Sequence, residues 1–174
     1  MGTGIVVCGM NGAGKSTLGK ALAGKLNFHF IDNEDLVFPK TDANDPYARE
    51  RTREEAKRRL LLEIGAHEDF VFACVRNSYG EEIDRFFAHA VLIDVPKDVR
   101  LQRVRDRSFR RFGDRMMPGG DLHEREEAFF ELVKSRPEGM AEAWARTLKC
   151  PVIRVDGTRD VRENVALIVG RLRR

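Results

Sequence analysis

The chain has no hydrophobic run long enough to cross a membrane. Its first apolar stretch, Ile5 to Cys8, is far too short for a signal peptide and follows no basic leader. Val6 stands where a myristoylation signal requires Ser or Thr. A cytoplasmic protein without membrane contact is expected. Cysteine is scarce: Cys8, Cys74 and Cys150 are scattered, and the first two lie inside apolar runs that read as buried strands. That placement favours core packing over a disulfide or a metal site. No sign of charge dominates, since 31 Lys and Arg face 28 Asp and Glu for a formal net charge of +3. This balance suits an ordinary soluble surface and gives no reason to expect a nucleic-acid partner. Repeats and low-complexity segments are absent. His29, His67, His89 and His123 form no recognisable cluster, so each reads as structural or surface. An Asn-Lys-x-Asp motif for reading guanine is missing too, which speaks against a GTPase.

What is present centres on Gly9-Met10-Asn11-Gly12-Ala13-Gly14-Lys15-Ser16. The apolar run Ile5 to Cys8 precedes it, and a segment with leucines at helical spacing, Thr17 to Leu26, follows. This is the strand-to-helix context of a P-loop. Gly9, Gly12 and Gly14 allow backbone conformations closed to residues with a Cβ, so successive N–H groups around Asn11 and Ala13 point into one concavity that binds anions. The helix that opens there adds its positive dipole end. Lys15 reaches the terminal phosphates, the Ser16 hydroxyl is placed to ligate Mg²⁺, and Thr17 supports the α-phosphate side.

The rest of the chain alternates strands with helices. Phe28 to Ile31 reads as a second strand ending at Asp32-Asn33-Glu34-Asp35, and residues 36–48 as loop. A charged helix is expected from Arg49 to Ile64, ended by Gly65. Phe70 to Val75 is continuously apolar, as a strand covered on both faces should be, and ends in Arg76-Asn77. A short helix through Ile83 and Phe87 leads to a strand Ala90 to Val95, stopped by Pro96. Val99 to Arg107 reads as helix. The segment about 108–121, with Arg110, Arg111, Arg115, Pro118 and three glycines, suits a mobile lid. Leu122 to Leu148 is helical with a break near Pro137 and Gly139, and Trp144 belongs to the core. Pro151 to Val155 is a fifth strand, Asp156-Gly157-Thr158 a turn, and Val161 to Leu172 a terminal helix. Together these predict one α/β domain over residues 1–174: a doubly wound, five-stranded parallel sheet with an acceptor-side region at about 32–65.

With these motifs the chain resembles the P-loop small-molecule kinases, which include adenylate, shikimate and gluconate kinases. Asp94-Val95-Pro96 followed by Arg103 and Arg107 is similar to the adenylate kinase pattern. There, the resemblance implies, the first arginine stacks on the base and the second contacts phosphates. Arg103 and Arg107 share a helix face, and a guanidinium both stacks and binds phosphate in a bidentate fashion. Asp32, with Glu34 or Asp35, resembles the strand-end carboxylates that face Mg²⁺ and the acceptor hydroxyl in shikimate and gluconate kinases. Capping of the next helix is the competing role for Glu34 and Asp35. Arg76 stands where adenylate kinases hold the acceptor phosphate, although the Asp-Gly-Phe-Pro-Arg run of those enzymes and the two-glycine turn of shikimate kinase are both missing. Arg49, Arg51, Arg53 and Arg58 read mainly as solvent-facing or paired with Glu50, Glu54 and Glu55. Gly157 resembles the main-chain border of the adenine.

The resemblance therefore implies an ATP- and Mg²⁺-dependent phosphotransferase, a monomer or homodimer. Lys15, Asp32, Arg107 and the lid residue Arg111 would be catalytic, and the acceptor a nucleoside or nucleotide ahead of a plain metabolite. The alternatives are a nucleotide hydrolase or switch and a non-catalytic binding protein. Val91 to Asp94 resembles a Walker B strand, but no Glu follows Asp94, and the chain is too short for a full AAA module with its helical lid domain. Asp98, Asp106 and Asp114 interrupt the arginine-rich 100–115 stretch, which weakens it as a nucleic-acid surface.

Overall fold

A computed structural model describes residues 2–173. The apolar runs become strands because each is covered on both faces. β1 (Gly4–Cys8) and β3 (Phe70–Cys74) are buried at every position. With β2 (His29–Asp32), β4 (Phe87–Asp94) and β5 (Val152–Asp156) they form one five-stranded sheet in the order β2-β3-β1-β4-β5. All four pairings are parallel, as the alternation of strands and helices predicts. Because side chains alternate along β1, Ile5 and Val7 face one side of the sheet and Val6 and Cys8 the other.

α1 (Lys15–Leu26) and α8 (Val161–Leu172) cover the first side, where Leu18, Leu22, Val165 and Ile168 pack on Ile5, Val7 and Val91. α2 (Asn33–Val37), α3 (Arg53–Ala66), α4 (Glu81–Asp84) and α7 (Met140–Ala145) serve the second side. There Leu60, Ile83 and Trp144 pack with Val6 and Phe72. α5 (Lys97–Phe112), a 3₁₀ turn (Gly113–Met116) and α6 (His123–Ser135) enclose a separate cluster of Val104, Phe112, Met116, Leu122, Phe130 and Val133.

Several boundaries differ from the sequence reading, each for a local reason. The charged helix starts at Arg53 rather than Arg49, because Thr52 and Glu55 form a reciprocal capping box. It runs through Gly65 and ends at Ala66. α5 does not stop at Arg107: Arg100, Val104, Ser108 and Phe112 are buried at four-residue intervals, so the first part of the expected lid is helix. β4 begins at Phe87, whose ring stacks on Phe72 at 6.2 Å, and not at Ala90. Part of the expected 36–48 loop is taken by α2, which Asp32 caps by accepting from Glu34 N at 3.0 Å. The break at Pro137 and Gly139 separates α6 from α7 as expected.

Candidate active site at the C-terminal edge of the sheet

The turn from β1 to α1 has the conformation its glycines predict. Gly12 has φ +81°, and a Cβ there would lie 2.3 Å from the carbonyl oxygen of Arg100. Only glycine lets the loop pass this close to α5. Gly14 caps α1 in the left-handed region with no side-chain hydrogen bond, so no cap competes for the first amides of the helix. Those amides and the helix dipole face the concavity beside Lys15, Ser16 and Thr17.

Lys15 donates from Nζ to Met10 O at 3.0 Å. The residue is half-buried by surface, yet its ammonium end is densely surrounded. Burial lowers its pKa from 10.5 to about 8, and the Arg107 cation pushes the same way, while Asp32 opposes them. Below it lie Cys8 and Cys74, register partners on β1 and β3. Burial raises the Cys8 thiol to about 12 and holds Cys74 well above the usual thiol value. The floor under Lys15 is therefore uncharged and shielded from water, which strengthens attraction between the ammonium and a phosphate.

Arginines hold the loop from α5 and beyond. Arg103 donates to Gly12 O at 3.4 Å and to Gly157 O at 3.1 Å, so it bridges the P-loop and the turn after β5. Gly157 N in turn donates to Asp94 O at 2.9 Å. Arg107, one turn further along α5, is exposed. Two arginines that the sequence reading missed hold Asn11. Arg100 is only 3% exposed and donates to Val95 O at 3.0 Å, Asn11 O at 3.3 Å and Glu138 at 2.7 Å. Arg136, between α6 and α7, donates to the Asn11 side chain at 2.7 Å. Nothing in the local sequence marks either Arg100 or Arg136.

On the other side, Asp32 ends β2 with one carboxylate oxygen capping α2. Among the described residues its second oxygen has no hydrogen-bond partner, and the Asp32 charge is felt at Lys15. Glu34 accepts from the Tyr47 hydroxyl at 2.9 Å and lies 3.9 Å from Arg111. Asp35 is exposed and pairs with Lys40. Arg111 also bonds the Tyr47 hydroxyl and stacks over its ring at 5.1 Å. Arg115 is held by Asp121 at 2.7 Å and by Asn44 O at 2.8 Å, and Arg110 is exposed. Arg111 and Arg115 thus tie the 108–121 segment to the 38–52 loop.

Arg76 is exposed at the end of β3. The following residues are fixed by Tyr79, which donates to Asn33 at 2.6 Å, and by Asn77, which donates to Asp84 at 2.7 Å. Arg53 is solvent-facing as expected, with Nε donating to Ser78 O at 2.6 Å, whereas Arg51 is half-buried and donates to Leu36 O at 2.9 Å in place of a glutamate. Arg49 and Arg58 are solvent-facing as expected. The Walker B-like Asp94 is engaged by both ends of Arg154, at 3.0 and 3.2 Å, on the exposed side of β4. A cavity of about 290 Å³ lies at the outer side of β2, lined by His29, Asp32, Asp35, Arg59 and Glu63 and not by Lys15.

With the loop, its lysine and the strand order in view, comparison with known proteins becomes informative. A family model described as an AAA domain matches residues 5–117. The chain belongs to this AAA domain family. The match runs from β1 to just past the 3₁₀ turn and ends before α6. Resemblance to individual proteins runs further along the chain. The uncharacterized protein YqaC of Bacillus subtilis (strain 168) is 27% identical over 169 residues, 92% of each chain. A shikimate kinase of Thermosynechococcus vestitus is 27% identical over 149 residues, covering 82% of this chain and 78% of its own. The crystal structure of shikimate kinase from Aquifex aeolicus vf5 superposes with a TM-score of 0.60 at 20% identity, over 98% of this chain and 96% of that one. This AAA domain chain therefore has the fold of a P-loop small-molecule kinase, as its motifs implied.

Proposed function

We propose that the protein transfers the γ-phosphoryl group of ATP to a hydroxyl or phosphate oxygen of a small acceptor. The observation that carries this reading is the placement of Asp32 across from Lys15, with a carboxylate oxygen left over after capping α2. In the proposed step the acceptor oxygen attacks the γ-phosphorus and the bond from phosphorus to the bridging oxygen of ADP breaks; a hydroxyl acceptor passes its proton to that oxygen of Asp32, whereas an ionised phosphate acceptor has none to lose. Lys15 and the loop amides hold the β- and γ-phosphates. Arg107 and, after rearrangement, Arg111 meet the charge that spreads over the transferring group. Arg103 faces the base side with Gly157. The Ser16 hydroxyl and Asp32 supply the oxygen donors that Mg²⁺ takes beside a phosphate, and the ion would neutralise phosphate charge.

The acceptor side favours an anion. Arg76 stands exposed at the end of β3, the strand next to β2, and a guanidinium with no hydrogen-bond partner among the described residues suits a phosphate or carboxylate there. We place a nucleotide first and a carboxylated metabolite such as shikimate second, with Asp32, Glu34, Asp35 and Arg76 as the acceptor-facing set. The engagement of Asp94 by Arg154 weakens the hydrolase or switch reading, because a Walker B aspartate must be available to a metal shell. The test is ADP release from Mg·ATP against nucleosides, nucleoside monophosphates, shikimate and gluconate, with an acceptor-free control. Stimulation by one acceptor is expected. Steady acceptor-free turnover that no acceptor raises would overturn the proposal in favour of a hydrolase.

A further inference from the structure

The histidines that look scattered in sequence are not all scattered in space. His29 opens β2 and His67 follows the last turn of α3, and their rings stack with centroids 3.6 Å apart and planes 13° from parallel. Both present Nε2 to the same oxygen of Glu63, at 2.8 Å from His29 and 3.9 Å from His67. Glu63 and His67 share a helix face at i, i+4 spacing, and the parallel sheet brings His29 to them from the edge strand. All three donor atoms lie within 4.8 Å of one another.

We propose that His29, Glu63 and His67 form a binding site for a divalent transition metal of the Zn²⁺ class, separate from the P-loop. Zinc binds imidazole nitrogen and carboxylate oxygen at about 2.0–2.2 Å, so donors around a tetrahedral ion stand roughly 3.4 Å apart. The observed separations of 2.8 and 3.9 Å fall on either side of that spacing. Two imidazoles and one carboxylate select Zn²⁺, Co²⁺ or Ni²⁺ over Mg²⁺ and Ca²⁺, which prefer all-oxygen shells. The three side chains are between 33% and 43% exposed, so an ion enters without unfolding the site. His29 and Glu63 also line the cavity of about 290 Å³, where water completes the coordination. The ion would pin the C-terminal end of α3 to the edge strand that carries Asp32.

The experiment is titration of chelator-treated, nucleotide-free protein with Co²⁺, followed by its visible absorption. One equivalent saturates the protein, Zn²⁺ displaces it, and millimolar Mg²⁺ does not. His67→Ala and Glu63→Gln each weaken Co²⁺ binding by about tenfold or more, while Lys15→Ala leaves it unchanged. Metal-free melting of each variant shows that it is folded. In the unaltered protein, Co²⁺ shifts and broadens the imidazole NMR signals of His29 and His67 and spares those of His89 and His123. Absence of saturable binding, unchanged affinity in both variants, or broadening at His89 or His123 instead would overturn the site. Failure of the acceptor screen leaves this result untouched, since no nucleotide is present.

Discussion

At the scale of single residues, Lys15 and Asp32 make opposite kinds of demand on the folded chain. Holding the Lys15 cation costs stability, because its pKa falls from 10.5 to about 8 on burial. That shift corresponds to on the order of 3 kcal/mol, at about 1.4 kcal/mol per unit. Below pH 8 the folded chain carries the whole cost. Between about 8 and 10.5 the unfolded chain binds the proton and the folded chain does not, so this contribution to stability rises with pH. Lys15→Met is therefore expected to raise the melting temperature of the nucleotide-free protein at pH 7, with a gain that shrinks as pH climbs through this window, while turnover falls by ~10²-fold or more. Thermal melts at several pH values, set beside single-turnover assays, check both halves. Phosphate restores the charge, so Mg·ADP binding just above pH 8 takes up a proton, seen as a buffer-dependent heat in calorimetry and lost in Lys15→Met. Asp32→Asn separates the two roles of its carboxyl. Asparagine caps helices as well as aspartate does, so stability holds within about 0.5 kcal/mol, whereas kcat drops by about 10²–10⁴ if the carboxylate accepts the acceptor's proton. An equal loss of stability and activity would assign Asp32 to capping alone.

At the scale of elements, α5 does most to shape the site. Its first turn supplies the Arg100 side chain to Asn11 and its carbonyl to Gly12; its middle supplies Arg103 and Arg107. Arg100→Met leaves Glu138 solvated but strips two carbonyls, Val95 O and Asn11 O, of a buried donor. The expected loss is about 2–3 kcal/mol in urea denaturation, accompanied by weaker Mg·ADP binding because the crest of the loop is released. Strands β1 and β3 and the P-loop were legible from sequence, because burial on both faces writes a continuous apolar run and the loop writes its glycines. The end of β4 at Asp94-Val95-Pro96 and the shared helix of Arg103 and Arg107 were legible as well. Arg100 and Arg136 were not, since their partner Asn11 lies 89 and 125 residues away. The length of α5 was hidden because Arg110, Arg111, Arg115, Pro118 and three glycines gave 108–121 the look of a lid, while the buried stripe of Val104, Ser108 and Phe112 continued beneath it. The stacking of His29 on His67 was equally invisible, because it depends on which strand takes the sheet edge.

At the scale of the whole molecule, the 108–121 segment and the 38–52 loop are joined by side-chain contacts. Tyr47 joins them by bonding Glu34 and Arg111 while its ring packs toward Phe112 at 6.3 Å. Tyr47→Ala should therefore expose both segments to protease together, with cleavage in each rising at least several-fold while the β-sheet core stays resistant; loosening of one alone would show that they are uncoupled. The contact between Gly12 and Arg100 has a different reach, into how such a sequence drifts over generations. Gly12 is required by the neighbouring helix whether or not a nucleotide ever binds, so a descendant that had abandoned ATP would still keep it. Lys15 has no such protection: its burial penalises the fold, and a lineage with no use for the charge would gain by discarding it. Of the residues in the loop, the lysine is the one whose survival testifies to present employment, and the glycine is silent on the matter.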